Sequence, residues 1–308
     1  MSEDYKVEPV TGTIGFGEGP HWSVEDQALY FVDFFEQLVR RYHPETDTHT
    51  KLHIEGGPVT MVVPHKTGPA HTFVVSVGLS LVAVTWPDPT QDLSVTADDL
   101  RLLATVEQDL PDNRFNDGKC DTLGRLFAGT MSTAEDPDHM GNLYRLDTDR
   151  TITKVVEKQV TLSNGLAWTE DNSTMYYNDT LEYKVNAFDF DLSTGALSGR
   201  RVVFDFQEAG LSPAQPDGMT IDTDGNIWVP GYGVGTVFNI DPSNGDILRV
   251  VNIPSLDTTS VSWGGPDLDQ LFVTCGNAPV YRVTGLGVKG FPANACTVDL
   301  PTGPRKKQ

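Results

Sequence analysis

The chain has 308 residues, 22 of them basic and 43 acidic, for a formal net charge of −21. A surface this acidic repels phosphate backbones and anionic headgroups, which excludes nucleic acid and membranes as partners, and no apolar run reaches the length of a membrane span. With 38% hydrophobic and 21% charged residues a globular fold with a sizeable core is expected, as one large domain or two ordinary ones.

The opening residues, Met1-Ser2-Glu3-Asp4-Tyr5-Lys6, lack the basic-then-apolar form of a secretory signal. Cys120, Cys275 and Cys296 are too few and too scattered for a disulfide framework or a zinc knuckle. A reducing, cytoplasmic location is expected, so the sequons at Asn172 and Asn178 carry no weight. The basic end, Arg305-Lys306-Lys307, reads as a disordered terminus.

Long helical periodicity is absent. Six β-type runs take its place: Leu29–Val32, Phe73–Val75, Leu126–Ala128, Met175–Tyr177, Ile227–Val229 and Leu271–Val273. Several follow a turn signal such as Asp224-Gly225-Asn226. They recur every ~43 to 54 residues, the period of a propeller blade. A second marker precedes each run, at Glu18–Trp22, Val59–Val63, Asn116–Lys119, Asn164–Trp168, Asp217–Ile221 and Thr259–Trp263, and reads as a polar or small residue heading a strand. A third element, such as Val237–Asp241, leads into a turn. The expectation is an all-β, six-bladed β-propeller, residues 1–308 forming a single domain.

A lone four-stranded blade cannot bury both of its faces, so blades pack against one another around an axis. The residues heading the innermost strands then converge at one mouth of a channel. They are Glu18, Val59 or Thr60, Asn116, Asn164, Asp217, and Thr259 or Ser260. Oxygen ligands without Cys or a His pair suit a hard cation such as calcium, magnesium or manganese. Two carboxylates neutralise a divalent ion, and an Asn carbonyl adds a ligand without charge. Other motifs do less. Gly285–Gly290 fits G-x-G-x-x-G, but Phe291-Pro292 follows it, leaving no helix to hold a pyrophosphate. Asp222–Asn226 lacks the spacing of a calcium loop and reads as a hairpin turn. His21, three residues after Glu18, is read as a packing or surface residue.

Glu18-Gly19-Pro20, Arg114–Lys119, Phe127–Met131, Ser163–Leu166, Pro216–Met219 and Tyr281–Gly290 together match one pattern. In these segments, from about Glu18 to Gly290, the chain resembles the regucalcin (senescence marker protein), gluconolactonase and luciferin-regenerating enzyme family. The resemblance implies a six-bladed propeller holding a divalent cation in its central channel, and lactonase activity on aldonolactones such as glucono-1,5-lactone. It places the metal ligands on Glu18, Asn164 and Asp217 and the substrate contacts on Arg114 and Asn116. The family's sugar-gripping Glu falls on Ala134, with Glu135 one residue late as its substitute, and the segment between Cys275 and Tyr281 is short.

The expected function is thus a divalent-metal-dependent lactone hydrolase, with Asp217 taking a proton from the attacking water and a small lactone as the partner. Calcium is the first choice of metal, with zinc, manganese or magnesium as alternatives. Two rivals stand beside it. One is the same fold and metal site acting on another electrophile, of luciferin-regenerating or organophosphate-hydrolase type. The other is a calcium-binding propeller without catalysis.

Overall fold

The computed structural model describes residues 5–301. The chain opens on β1 (Lys6–Pro9) and continues with β2 (Gly17–Ser23), β3 (Ala28–Asp33), β4 (Leu38–His43) and β5 (Thr48–Ile54). β6 (Val62–Pro64), β7 (Thr72–Val77), β8 (Ser80–Thr85), β9 (Leu93–Val95) and β10 (Arg101–Thr105) follow. Next come β11 (Asn113–Cys120), β12 (Leu126–Ser132), β13 (Gly141–Leu146) and β14 (Ile152–Val160). Then follow β15 (Ser163–Trp168), β16 (Thr174–Asp179), β17 (Lys184–Asp191) and β18 (Ala196–Asp205). The next group is β19 (Gln215–Pro216), β20 (Thr220–Ile221), β21 (Ile227–Tyr232), β22 (Thr236–Asp241) and β23 (Asp246–Asn252). β24 (Thr258–Gly264), β25 (Gln270–Cys275) and β26 (Tyr281–Thr284) complete the order.

These strands form six separate sheets, each built on an antiparallel meander, and the fold class is the expected six-bladed β-propeller. Two features depart from a plain repeat of hairpins. The last sheet runs β1-β26-β25-β24, so its outer strand comes from the start of the chain, with Val7 opposite Val283. The first sheet gains β9, which runs parallel to β5. Among the described residues no α-helix occurs, only single 3-10 turns at Ala97–Asp99 and Thr180–Glu182. Among the described residues no helix is long and apolar enough to cross a membrane.

Burial explains why the middle strands were legible. β3 is buried at every position, whereas the outer β23 is mostly exposed. A strand covered on both faces reads as a continuous apolar run.

Within the described residues two compact units are distinguished: 5–29 with 164–293, and 30–163 with 294–301. The first holds two apolar clusters. One gathers Ala167, Val185, Phe204, Met219 and Ile240. The other centres on Trp228 and Trp263, whose rings meet edge to face at 5.3 Å. Asp222 secures this turn region, its Oδ1 accepting from Asp224 N and Asn226 N and its Oδ2 from Trp228 Nε1, as a hairpin turn requires. The second unit is built around Met61, Val74, Phe115, Leu126 and Tyr144. Its C-terminal segment is fastened there by backbone bonds, Cys296 N to Pro64 O and Lys66 N to Cys296 O, both at 2.8 Å. His65 adds a lock. Its Nδ1 accepts from Gly68 N, which leaves the proton on Nε2 to donate to Val298 O at 2.6 Å.

Candidate metal and substrate site

Every strand head anticipated from the repeat lies on, or next to, the terminal strand of its sheet. Glu18 is on β2, Asn116 on β11, Asn164 on β15 and Thr259 on β24; Thr60 precedes β6, and Asp217 directly follows β19. The fifth sheet differs in detail, because Asp217–Met219 leaves the ladder between β19 and β20.

In the first unit hydrogen bonds stitch the heads together. Gly165 N donates to Asp217 O at 3.2 Å and Gly218 N to Thr259 O at 2.8 Å. Thr259 Oγ1 donates to Gly17 O at 2.6 Å. Each link is at, or one residue from, a predicted ligand, so Asn164, Asp217 and Glu18 are carried on segments tied in succession. Two glycines make the approach possible. A Cβ on Gly165 would lie 2.5 Å from Met219 Cβ and 2.8 Å from Asp217 O, and one on Gly218 would collide with the Ser260 side chain. The Asn-Gly and Asp-Gly pairs are therefore demanded by the close approach of neighbouring segments.

Hydrogen bonds also orient individual side chains. Asn164 is buried, and its Nδ2 donates to Thr180 Oγ1 at 2.7 Å, while that hydroxyl donates to Pro216 O. The amide nitrogen is thereby committed, and Oδ1 is the atom of this side chain with the chemistry to ligate a cation. Asn178 had no role in the sequence reading beyond its sequon. It is fully buried, with Nδ2 donating to Asp217 O at 2.6 Å and Oδ1 lacking a hydrogen-bond donor. A buried acceptor in that state calls for a cation or a water. Asp217 is buried, and Glu18 is half-buried with Oε2 accepting from Gly19 N at 3.2 Å. His21 is buried in β2.

The electrostatics point the same way. Burial pushes the Tyr232 hydroxyl above its ordinary value, and the negative charges of Asp257, Asp217 and Glu18 push it further. Burial, helped by Asp257 and Glu18 and opposed by a hydrogen bond with Ser255, pushes the Cys275 thiol up to about 12. Negative potential is concentrated around these residues. Two carboxylates and amide oxygens fit a hard divalent cation. Among the described residues no three His, Cys, Asp or Glu side chains are grouped to hold a metal.

In the second unit Arg114 Nη1 donates to Asn116 Oδ1 at 2.7 Å and to Phe115 O at 3.0 Å. Asn116 Nδ2 donates to Ser163 O at 2.8 Å, and Asn116 O accepts from Thr60 Oγ1 at 2.6 Å. The two predicted substrate residues are thus a bonded pair. The Arg114 guanidinium also lies over the Phe34 ring, 4.5 Å from its centre. Glu135 is exposed in the bend after β12. Next to the pair in sequence, Asp117 is buried and Lys119 half-buried, and desolvation raises the carboxyl and lowers the ammonium from their ordinary values. A different carboxylate, Glu107, organises this sheet. It accepts from Asn113 Nδ2, Thr130 Oγ1, Asn142 Nδ2 and Tyr144 OH at 2.5–2.9 Å. Tyr232, Asp257, Asn178 and Glu107 escaped sequence reasoning because none heads a strand. Only their contacts reveal them.

A family model described as "SMP-30/Gluconolactonase/LRE-like region" matches residues 16–277. The chain belongs to this family. Regucalcin of Xenopus laevis is 37% identical, with 96% of each chain covered. A luciferin-regenerating enzyme of known structure is 35% identical, covers 96% of this chain and 100% of its own, and superposes with a TM-score of 0.89. A regucalcin from Agrobacterium tumefaciens, described as a calcium-binding protein, shares the fold at 22% identity and a TM-score of 0.83, covering 94% of this chain and 97% of its own. Membership in the SMP-30/gluconolactonase/LRE-like family accords with the Glu-Gly-Pro, Asn-Gly and Asp-Gly segments that carry the strand heads.

Proposed function

We propose that the chain is a divalent-metal-dependent lactone hydrolase. The observation that carries this reading is the succession of Asn164, Asp217 and Glu18 on hydrogen-bonded segments, with Asn164 turned by Thr180. Glu18, Asn164 and Asp217 would hold the cation, with calcium the first choice, as in the calcium-binding relative. When bound, such an ion supplies Lewis acidity and positive charge for the oxyanion of lactone opening. Asp217 takes the proton of the attacking water. Tyr232 stays protonated, because burial and three carboxylates oppose its ionisation, and it keeps an O–H to donate. The guanidinium of Arg114 offers N–H groups to ester and hydroxyl oxygens of the substrate, and its bond to Asn116 fixes the orientation of that amide. The likeness to the luciferin-regenerating enzyme favours one second reading, the same residues acting on another electrophile.

Chelated protein should lose lactonase activity and regain it when one cation is restored. Asp217→Asn should lower kcat about 10²- to 10⁴-fold, the range of a general base, with the circular dichroism spectrum retained. Full turnover in chelated protein or in Asp217→Asn contradicts the mechanism. Parallel assays on glucono-1,5-lactone, an aromatic lactone and a phosphotriester separate the two readings, and metal binding without turnover on any of them indicates a non-catalytic propeller.

A further inference from the structure

The turn Phe34–Gln37 between β3 and β4 is out of pattern for a hairpin tip, which ordinarily carries polar residues. Phe34 is buried, and its ring meets Phe35 edge to face at 4.5 Å. Phe35 is 70% exposed, the highest value among the exposed large apolar side chains described. An isolated apolar residue on a surface needs no explanation, but this one belongs to a cluster. The guanidinium stacked on Phe34 is that of Arg114, which is bonded in turn to Asn116. An apolar face and a guanidinium therefore lie side by side. That combination suits an ester or lactone oxygen carried next to an apolar group. A ring covered in hydroxyls gains less from the apolar face and more from a carboxylate that accepts from its O–H groups. The carboxylate expected for that task, Glu135, is exposed in the bend beyond β12.

We propose that Phe35, packed on Phe34 beside Arg114, is a specificity-determining residue that selects lactones bearing an aryl or branched alkyl substituent over polyhydroxylated ones. This rests on the lactonase reading, and the test separates the two. With cation-loaded protein, kcat/KM is measured on a phenyl-substituted δ-lactone and on glucono-1,5-lactone. Binding of an unreactive phenyl-substituted lactam is measured by calorimetry. Wild type prefers the phenyl lactone, and Phe35→Ala lowers the ratio of the two kcat/KM values and the affinity for the lactam each by about tenfold, the scale of one aromatic contact. Phe35→Leu retains most of both. Loss of lactam affinity in Phe35→Ala, with neither lactone turned over by any variant, upholds the subsite and removes the lactonase reading. Turnover of both lactones with ratio and lactam affinity untouched by Phe35→Ala overturns the subsite alone. So does a wild-type dimer, seen by light scattering, that Phe35→Ala dissociates without changing lactam binding, because the exposed ring then serves a second copy of the chain.

Discussion

Gly218 shows how tightly single positions are set. It follows Asp217, donates to Thr259 O, and has no room for a Cβ beside Ser260. Gly218→Ala should cost about 1–3 kcal/mol, the usual range for overpacking, measured by denaturant unfolding. The double variant Gly218→Ala/Ser260→Gly should recover part of the loss. Asp191, the last residue of β17, offers a different test at the turn into β18. Hydrogen bonds from Ser193 and Thr194 hold its carboxyl down to about 2, against an ordinary value of 3.8. A depressed carboxyl contributes stability that is present above the unfolded value and is lost as pH falls through the folded one. The difference in melting temperature between wild type and Asp191→Ala should stay constant from neutral pH down to about 4 and close as pH falls toward about 2. A gap that persists in stronger acid would mean the turn depends on packing, not on the ionised carboxylate.

Whole strands differ in how much the sequence discloses. β7 and β12 were visible because each is a short apolar run with a turn beside it. β1 was not. Its four residues carry no distinguishing pattern, and its partner β26 lies more than 270 positions away in the chain. Its removal gives a sharp expectation, since the last sheet then loses its outer strand and the cover that Val7 and Tyr5 give to the Trp263 cluster. A chain starting at Val10 should unfold at lower denaturant concentration, losing on the order of 2 kcal/mol, the burial of one aliphatic side chain. An unchanged midpoint would show that β1 is dispensable. The parallel strand β9 escaped for a related reason, since its three residues gain meaning only from pairing with β5.

At the scale of the molecule, the proposed cation site makes stability a readout of binding that does not depend on turnover. An ion that binds only the folded chain at about a hundred times its Kd adds about 2.7 kcal/mol. Calcium should therefore raise the melting temperature of wild type by a few degrees and raise that of Asp217→Asn by clearly less. Equal shifts in both proteins would move the cation elsewhere.

The amino-acid sequence alone determined the repeated strands and the oxygen-bearing residues that head them. Both follow from local rules: alternation and apolar runs within a strand, turn residues between strands, and a fixed spacing from one blade to the next. The folded chain decided the rest. It turned the Asn164 amide with Thr180, brought Tyr232 within the field of Asp217 and Glu18, set Arg114 on Phe34, and took the outer strand of the last sheet from the opening residues. Each of these joins residues from about fifteen to more than 270 positions apart, and a contact of that kind leaves no periodic trace in either of the segments that make it.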